Sequence, residues 1–464
     1  MSKGLSMSIQ AFNPASDELL SQHEPHGEAA IDAQLDRAAR AQRAWAQTPL
    51  TERMALLRRV AQTLRAQKAE LAPLATLEMG KPLSEALGEV EKCAWNFDYY
   101  ADAAPGYLQD QPVASGASDS RLVYDPLGLV LAVMPWNYPF WQVMRAAAPV
   151  LAGGNGLVLK HASNVPRCAL ALQNVFEQAG APAGLFSTLL VGSAEVARLI
   201  ADRRIAAVTF TGSTPAGRSI ASAAGHALKK QVLELGGSDP FIVLADADVD
   251  AAAAVAVKAR FQNTGQSCIA AKRFIVEHAV ADRFVEAFVA GARALVVGDP
   301  MAAGVTQGAM AKRSLRDELH AQVQASVREG AKLLLGGAPV AGPGAFYQPT
   351  VLDHVTPAMT AAREETFGPA AAILRVADAE EALRVANGTS FGLGAALWTQ
   401  DLQRAQALTR RIEAGAVFVN GMVASDPRLP FGGSKESGYG RELGALGLQE
   451  FTNIKTVWTG PARA

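Results

Sequence analysis

The hydrophobic pattern from residue 157 onward switches repeatedly between a period of two and a period of 3.6, and that alternation is the tightest constraint the chain places on its own fold. Apolar runs at 157–160, 187–191, 207–211 and 231–235 read as strands, with amphipathic stretches at 169–178, 195–201 and 216–224 between them. Strands that alternate with helices pair in parallel and are covered on both faces. A second series begins at 241–244 and continues through a helical stretch at 250–261, then 273–277, 284–295, 315–328, 391–399 and 417–420. At 464 residues the chain exceeds one ordinary core of ~150 residues, so two α/β units are expected. Ahead of them, 35–104 is helical: Met54, Leu57, Ala61 and Leu64 share one face, and Leu71, Leu74 and Leu77 continue it. Residues 121–125 and 130–134 read as a hairpin around Pro126-Leu-Gly128, and 454–458 as a last strand able to pair with it or with another subunit's edge.

Composition narrows the function classes. With 49% apolar and 19% charged residues and a formal net charge of -1, nothing favours nucleic acid or an acidic membrane surface, and a small ligand fits better. Cys93, Cys168 and Cys268 are far apart and odd in number, so neither a disulfide framework nor a CxxC metal site can be drawn, and a cytoplasmic location is expected. Residues 1–10 carry no apolar run of the export type, and the longest apolar stretches, 127–136 and 146–159, fall short of the ~18 residues of a membrane span.

Two stretches carry chemistry. Asn263-Thr-Gly-Gln-Ser-Cys268 follows the helical run 250–261, and Gly265 is placed to end that helix, so Cys268 stands on a turn. A thiol there is either a nucleophile or a small core residue. The second stretch, Val208-Thr-Phe-Thr-Gly-Ser-Thr-Pro-Ala-Gly217, places Gly212 and Ser213 at a helix N-terminus that favours phosphate, although no GxGxxG occurs and a structural turn would use the same glycines.

Taken together, Met134-Pro-Trp-Asn-Tyr-Pro139, Lys160, Phe210-Thr-Gly-Ser213, Leu233-Glu-Leu-Gly-Gly237, Gly265-Gln-Ser-Cys268, Glu364-Glu-Thr-Phe-Gly-Pro369 and Pro430-Phe-Gly-Gly433 resemble the NAD(P)-dependent aldehyde dehydrogenase superfamily in order and spacing. The resemblance spans about Phe12 to Trp458, and Trp136–Gln142, Glu234–Pro240, Phe261–Gln266 and Lys435–Arg441 look most like the bacterial succinate-semialdehyde dehydrogenases. It implies an α/β fold with a variant Rossmann cofactor domain (8–112 and 131–236), an α/β catalytic domain (237–425) and a small β oligomerisation extension (113–130 and 449–464) in a homodimer or homotetramer.

The resemblance also assigns roles. Cys268 would form a thiohemiacetal and then a thioester, Asn137 would donate to the oxyanion with the Cys268 N–H, and Glu234 would activate water. A lone strand-end glutamate would instead pair with Lys229 or Lys230. NAD or NADP would lie against Trp136, Lys160, Ser163, Gly212, Ser213, Leu235, Glu365 and Phe367. NAD-restricted members carry a glutamate three residues beyond the lysine; Ser163 stands there, so NADP should be accepted. On the substrate side Arg145, Gln142, Gln262 and Ser425 are expected, with Arg145 on the far carboxylate of a semialdehyde or, alternatively, on a structural acid. Gln262 replaces an arginine common in relatives, and Ala270 replaces a second cysteine, so a local disulfide switch is absent. The alternatives are another short aldehyde, a cofactor-free cysteine hydrolase, for which no histidine partner is evident, and a silent binding protein.

Overall fold

The computed structural model describes residues 8–460. Most of segment 1–10, expected to lack an export signal, and positions 461–464 of the expected extension lie outside the described residues. Among the described residues no helix is long and apolar enough to cross a membrane.

Two sheets organise the molecule. The first has six strands in the order Gly438–Tyr439, Lys230–Glu234, Ile205–Thr211, Leu129–Met134, Gly156–His161 and Phe186–Thr188, all parallel except the first. Every residue of Leu129–Met134 and Gly156–His161 is buried, as strands covered on both faces must be. Register decides where the loops emerge. Thr211 lies opposite Glu234, and Met134 opposite His161, so neighbouring strands stop side by side and deliver their loops to one edge.

The second sheet has seven strands in the order Lys332–Leu335, Thr350–Asp353, Ala370–Val376, Ala271–Glu277, Asp239–Val243, Gly394–Trp398 and Ala416–Val419, with only Lys332–Leu335 antiparallel. Residues 235–238 run from the C-terminal end of a strand in the first sheet to the N-terminal end of a strand in the second. The segments ahead of Ala271–Glu277 and Ala370–Val376 therefore arrive at the same cleft, carrying Cys268 and Glu365.

Three local expectations need correction. The 121–125 and 130–134 strands do not form a hairpin: Asp119–Pro126 pairs with Thr452–Thr459 over eight residues, whereas Leu129–Met134 lies inside the six-stranded sheet. Gly128, at φ 136°, makes the change of sheet possible. The single strand read at 391–399 splits at Leu393, and Phe391–Gly392 pairs with Ser434–Lys435. There the Gly392 N–H goes to Ser437 Oγ and the Gly394 N–H to Asp239 Oδ1. Finally, the helix before the thiol ends at Phe261, four residues ahead of Gly265.

Asn155 ties these parts together. Fully buried, it accepts the Gly128 N–H at 2.9 Å and donates to the Phe451 carbonyl at 2.9 Å, just before the Thr452–Thr459 strand. Asn155→Ala strands one buried and one half-buried backbone group and should cost about 1–3 kcal/mol of stability. Urea midpoints of the two proteins measure this, and a difference under about 0.5 kcal/mol would mean that water replaces both bonds.

Candidate active site

Cys268 hangs on a backbone that few residues adopt. Asn263 (φ 59°), Thr264 (φ 55°) and Gly265 (φ 70°) are three successive left-handed residues, and for a β-branched threonine that conformation is costly. Surrounding bonds hold it in place. Glu85 accepts the Asn263 N–H at 2.7 Å, the Asn263 amide donates to the Asn137 and Gln266 carbonyls at 2.9 Å each, and Thr264 Oγ1 accepts the Gly308 N–H at 3.2 Å. Arg260, fully buried, donates to the carbonyls of Gly265, Thr366 and Gly368 and so locks this turn to the loop bearing Glu365 and Phe367. Beyond the thiol, buried Lys272 donates to the Ser267, Cys268 and Ala270 carbonyls.

The turn puts Cys268 where two cavities meet. One, of about 600 Å³, is also lined by Trp141, Gln142, Arg145, Gln262 and Ser425; the other, of about 540 Å³, by Trp136, Ser213, Glu365 and Phe367. Among the described residues Cys268 alone lines both. Cys93 and Cys168 are fully buried elsewhere, so the core-residue alternative holds for them and fails for Cys268. Burial pushes the Cys268 thiol up to about 12, against the pull of Arg145 and Lys272.

Asn137 follows the Leu129–Met134 strand on a loop braced from behind. Buried His161, its pKa lowered by burial to about 4, is neutral: Nδ1 accepts the Ala162 N–H at 2.9 Å and Nε2 donates to the Pro139 carbonyl at 2.8 Å. Glu89 accepts the Phe140 and Trp141 N–H groups, both at 2.8 Å, at the start of the Trp141–Ala152 helix. One Nδ2 hydrogen of Asn137 goes to the Gln266 carbonyl at 3.1 Å, which leaves the other free. Among the described residues no acceptor takes the Cys268 N–H. Two donors therefore stand ready beside the thiol.

Glu234 ends its strand buried, and neither carboxylate oxygen has a hydrogen-bond partner. The alternative pairing with a neighbouring lysine does not occur: Lys229 donates to the Ile200 and Asp202 carbonyls, and Lys230 pairs with Glu450 at 3.3 Å. Burial, then the Glu442 charge, raises Glu234 to about 8, opposed by Arg145 and Arg441. Gly236 and Gly237 let other groups in close, because a Cβ at Gly236 would collide with Glu365 Oε2 and one at Gly237 would lie 2.7 Å from the Cys268 carbonyl oxygen.

In the second cavity Glu365 Oε1 accepts the Gly237 N–H at 3.0 Å and faces Lys272 at 3.6 Å, leaving Oε2 free among the described residues. Trp136 and Phe367 meet edge to face at 5.8 Å. Gly212, Ser213 and Leu235 complete the wall under the Thr214–His226 helix, whose N-terminus has no side-chain cap. Lys160 and Ser163 stand outside this lining, at the end of Gly156–His161 and on the exposed turn after it. Burial and Lys312 both lower the pKa of Lys160.

Gln142, Gln262, Ser425 and Arg145 all reach the cavity as expected, but Arg145 is committed to an acid there. It is fully buried, forms an ion pair with Glu442, donates to Thr211 Oγ1 at 3.3 Å and lies 4.8 Å from the centre of the Phe431 ring. The structural-acid alternative describes this contact, and the guanidinium charge is neutralised within the protein. Sequence patterning did not single out Arg260, Lys272, Glu85, Glu89 or His161. A signal existed for two of them: Glu85, Glu89 and Lys92 recur at i, i+4, i+7 among the apolar positions of Leu83–Tyr107.

Arg145→Ala leaves Glu442 buried without a counter-charge, which should cost roughly 3–5 kcal/mol near neutral pH. Burial already raises the Glu442 pKa, and losing Arg145 raises it further. An acid whose folded pKa is raised loses folding stability as pH rises above the unfolded carboxyl range, so the deficit should be larger at pH 8 than at pH 5.5. Urea midpoints at both values decide it; a deficit that does not change with pH would mean the carboxylate finds another partner.

Comparison with known proteins gives the geometry its context. Residues 2–457 match the model of the aldehyde dehydrogenase family. The chain is 50% identical over 452 residues to a probable NADP(+) succinate-semialdehyde dehydrogenase of Synechocystis sp., covering 97% of this chain and all of that one. It is 50% identical over 448 residues to the NAD(P)+ succinate semialdehyde dehydrogenase Sad of Escherichia coli, covering 97% of each. The crystal structure of succinic semialdehyde dehydrogenase from Streptococcus pyogenes with NADP+ superposes with a TM-score of 0.95 at 38% identity, over 98% of this chain and 100% of that one. With the same fold and a family match over nearly its whole length, the chain belongs to the aldehyde dehydrogenase family.

Proposed function

We propose that this aldehyde dehydrogenase oxidises succinate semialdehyde, or a similar short semialdehyde, to the acid with NAD or NADP. The observation that carries the reading is the position of Cys268 on the wall shared by two cavities, one for each reactant. The names of the Synechocystis and Escherichia coli relatives support both the substrate and the cofactor. The residues fit a dinucleotide. The uncapped helix N-terminus behind Gly212 and Ser213 suits a pyrophosphate, free Glu365 Oε2 suits ribose hydroxyls, and Lys160 adds a cation near the adenosine end. The first sheet with the helices before it would be the cofactor domain, the second the catalytic domain, and the three-stranded sheet of 111–126 and 452–459 an oligomerisation surface. Three unpaired cysteines accord with a reducing, cytoplasmic setting.

The chain's own residues divide the work. Deprotonated Cys268 adds to the aldehyde carbon, and the free Asn137 N–H and the Cys268 N–H receive the oxyanion of the thiohemiacetal. When bound, the nicotinamide accepts the hydride. Glu234, whose carboxylate has no other partner, takes a proton from the water that releases the acid from the thioester. Trp136 and Phe367 wall the cofactor side against bulk solvent.

Initial rates with succinate semialdehyde and butanal, each with both cofactors, test the assignment: kcat/KM should favour the semialdehyde, and equal values would remove it. For Glu234→Gln, a burst of reduced cofactor should precede a slow steady state. Because Glu234 is raised to about 8, the wild-type release step should quicken as pH rises through that value, a limb the variant should lack. A uniform slow rate from the first turnover would argue against the water-activating role. Ser163→Glu should weaken NADP binding far more than NAD binding in a fluorescence titration, since a carboxylate repels a 2′-phosphate but not a 2′-hydroxyl. Equal losses would place Ser163 away from that phosphate.

A further inference from the structure

The cavity beside Cys268 is lined by a cation with no ion-pair partner among the described residues. Lys92, on the Leu83–Tyr107 helix, lines it with Nζ 4.3 Å from the centre of the Trp141 ring and 2.8 Å from Ser425 Oγ. Among the described residues its ammonium forms no ion pair. The other cations on that wall differ. Arg145 is paired with Glu442, and Lys258 is exposed to water.

We propose that Lys92, together with the Ser425 hydroxyl, binds the far carboxylate of the substrate and so sets the preference for an aldehyde that ends in a carboxylate. The inference rests on the proposed semialdehyde activity and names the residues that would enforce it. An ammonium has three donors, and one is used on Ser425. The other two are available. Because Ser425 Oγ accepts from Lys92, its own hydrogen is free to donate, so the pair presents a charged donor next to a neutral one. Trp141 holds the ammonium by a cation–π contact and keeps water from one side, which strengthens the attraction for an anion. Gln142 and Gln262 add neutral polar groups, and the two acids on that wall are already engaged, Glu85 with the Asn263 N–H and Glu89 with Lys81 and the Phe140 and Trp141 N–H groups.

The surroundings make the charge titratable. Burial, then Arg145, pushes Lys92 down to about 8, while Cys93, Glu89 and Asp426 oppose the shift. Asp426 and Cys93 keep their state over the working range. Glu89 is bound to Lys81 and two amides, Asp426 is held low by Arg428, and burial keeps Cys93 a thiol. Cys268 and Glu234 also respond to pH, but they act on every aldehyde and cancel in a ratio of two substrates, whereas Glu85, on the same wall and raised by burial to about 7, ionises ahead of the Lys92 limb.

The test is the ratio of kcat/KM for succinate semialdehyde to that for butanal, which has the same chain length without the carboxylate. In Lys92→Met the ratio should fall about 10- to 100-fold, mainly through KM for the semialdehyde, with butanal changed less than about threefold. Lys92→Arg should recover part of the loss, and Lys258→Met, which removes another cation from the same wall, should leave the ratio alone. In the wild type the ratio should decline as pH rises through about 8, a readout that does not depend on any variant folding. A wild type with no preference for the semialdehyde would overturn the functional reading and this inference with it. A wild type that prefers it, while Lys92→Met keeps the ratio or loses both substrates in parallel, would overturn the role of Lys92 alone, as would a wild-type ratio flat from pH 7 to 9.5 or a selective loss in Lys258→Met.

Discussion

The site depends on one strained turn. Asn263 and Thr264 in the left-handed region cost of order 1–3 kcal/mol each, and such a conformation persists only where its surroundings over-determine it. Here they do so from three directions. Glu85 comes from the helical layer, Asn137 from the first sheet, and Arg260 from the helix that leads into the turn. Because Arg260 also holds the Thr366 and Gly368 carbonyls, the turn with the thiol and the loop with Glu365 cannot move independently. The distance between the two cavities is fixed by the same guanidinium.

The helical layer does more than cover a sheet. Glu78, Glu85 and Glu89 are buried acids from its last two helices, and each accepts backbone N–H groups where another segment begins: Arg167 and Cys168, Asn263, and Phe140 and Trp141. Burial raises Glu78 and Glu85 to about 7, so the free N–H groups they satisfy do not fully compensate for lost hydration. These acids favour specificity of position over stability. They align the loop bearing Cys268, the loop bearing Asn137 and the Pro166–Gln178 helix with two consecutive helices of one layer.

Sequence made the general plan readable and missed the scaffolding. The strands read at 207–211 and 231–235 and the helix read over 250–261 match elements at 205–211, 230–234 and 249–261, because burial on both faces, or on one stripe, leaves a period in the residues. Of the residues named for chemistry, Cys268, Asn137, Glu365 and Phe367 line the two cavities, and Glu234 lies buried behind them, near enough for its charge to act on Cys268. What was not readable depends on partners remote in the chain. The hairpin failed because the 119–126 strand prefers an edge more than 300 positions away, and period alone says nothing about which edge a strand will choose. Arg145 shows the same limit: its charge was evident, but Glu442 could be matched to it only in three dimensions.

The electrostatics of the resting site follow from these pairings. Burial disfavours the ionised form of both Cys268 and Glu234, and the nearby cations do not reverse it. Arg145 is largely neutralised by Glu442, and Lys272 is shared among three carbonyls and Glu365. A protonated thiol is a weak nucleophile, so Cys268 has to give up its proton before it adds to a carbonyl. Glu234, at about 8, is the group nearest to neutrality that could take the proton, and Glu442 sets how easily it does so, because a second buried carboxylate raises its proton affinity. The ion pair between Arg145 and Glu442 therefore bears on the proton affinity of Glu234. It opposes the rise that burial imposes on Glu442, and the Glu442 charge in turn adds to the burial that raises Glu234.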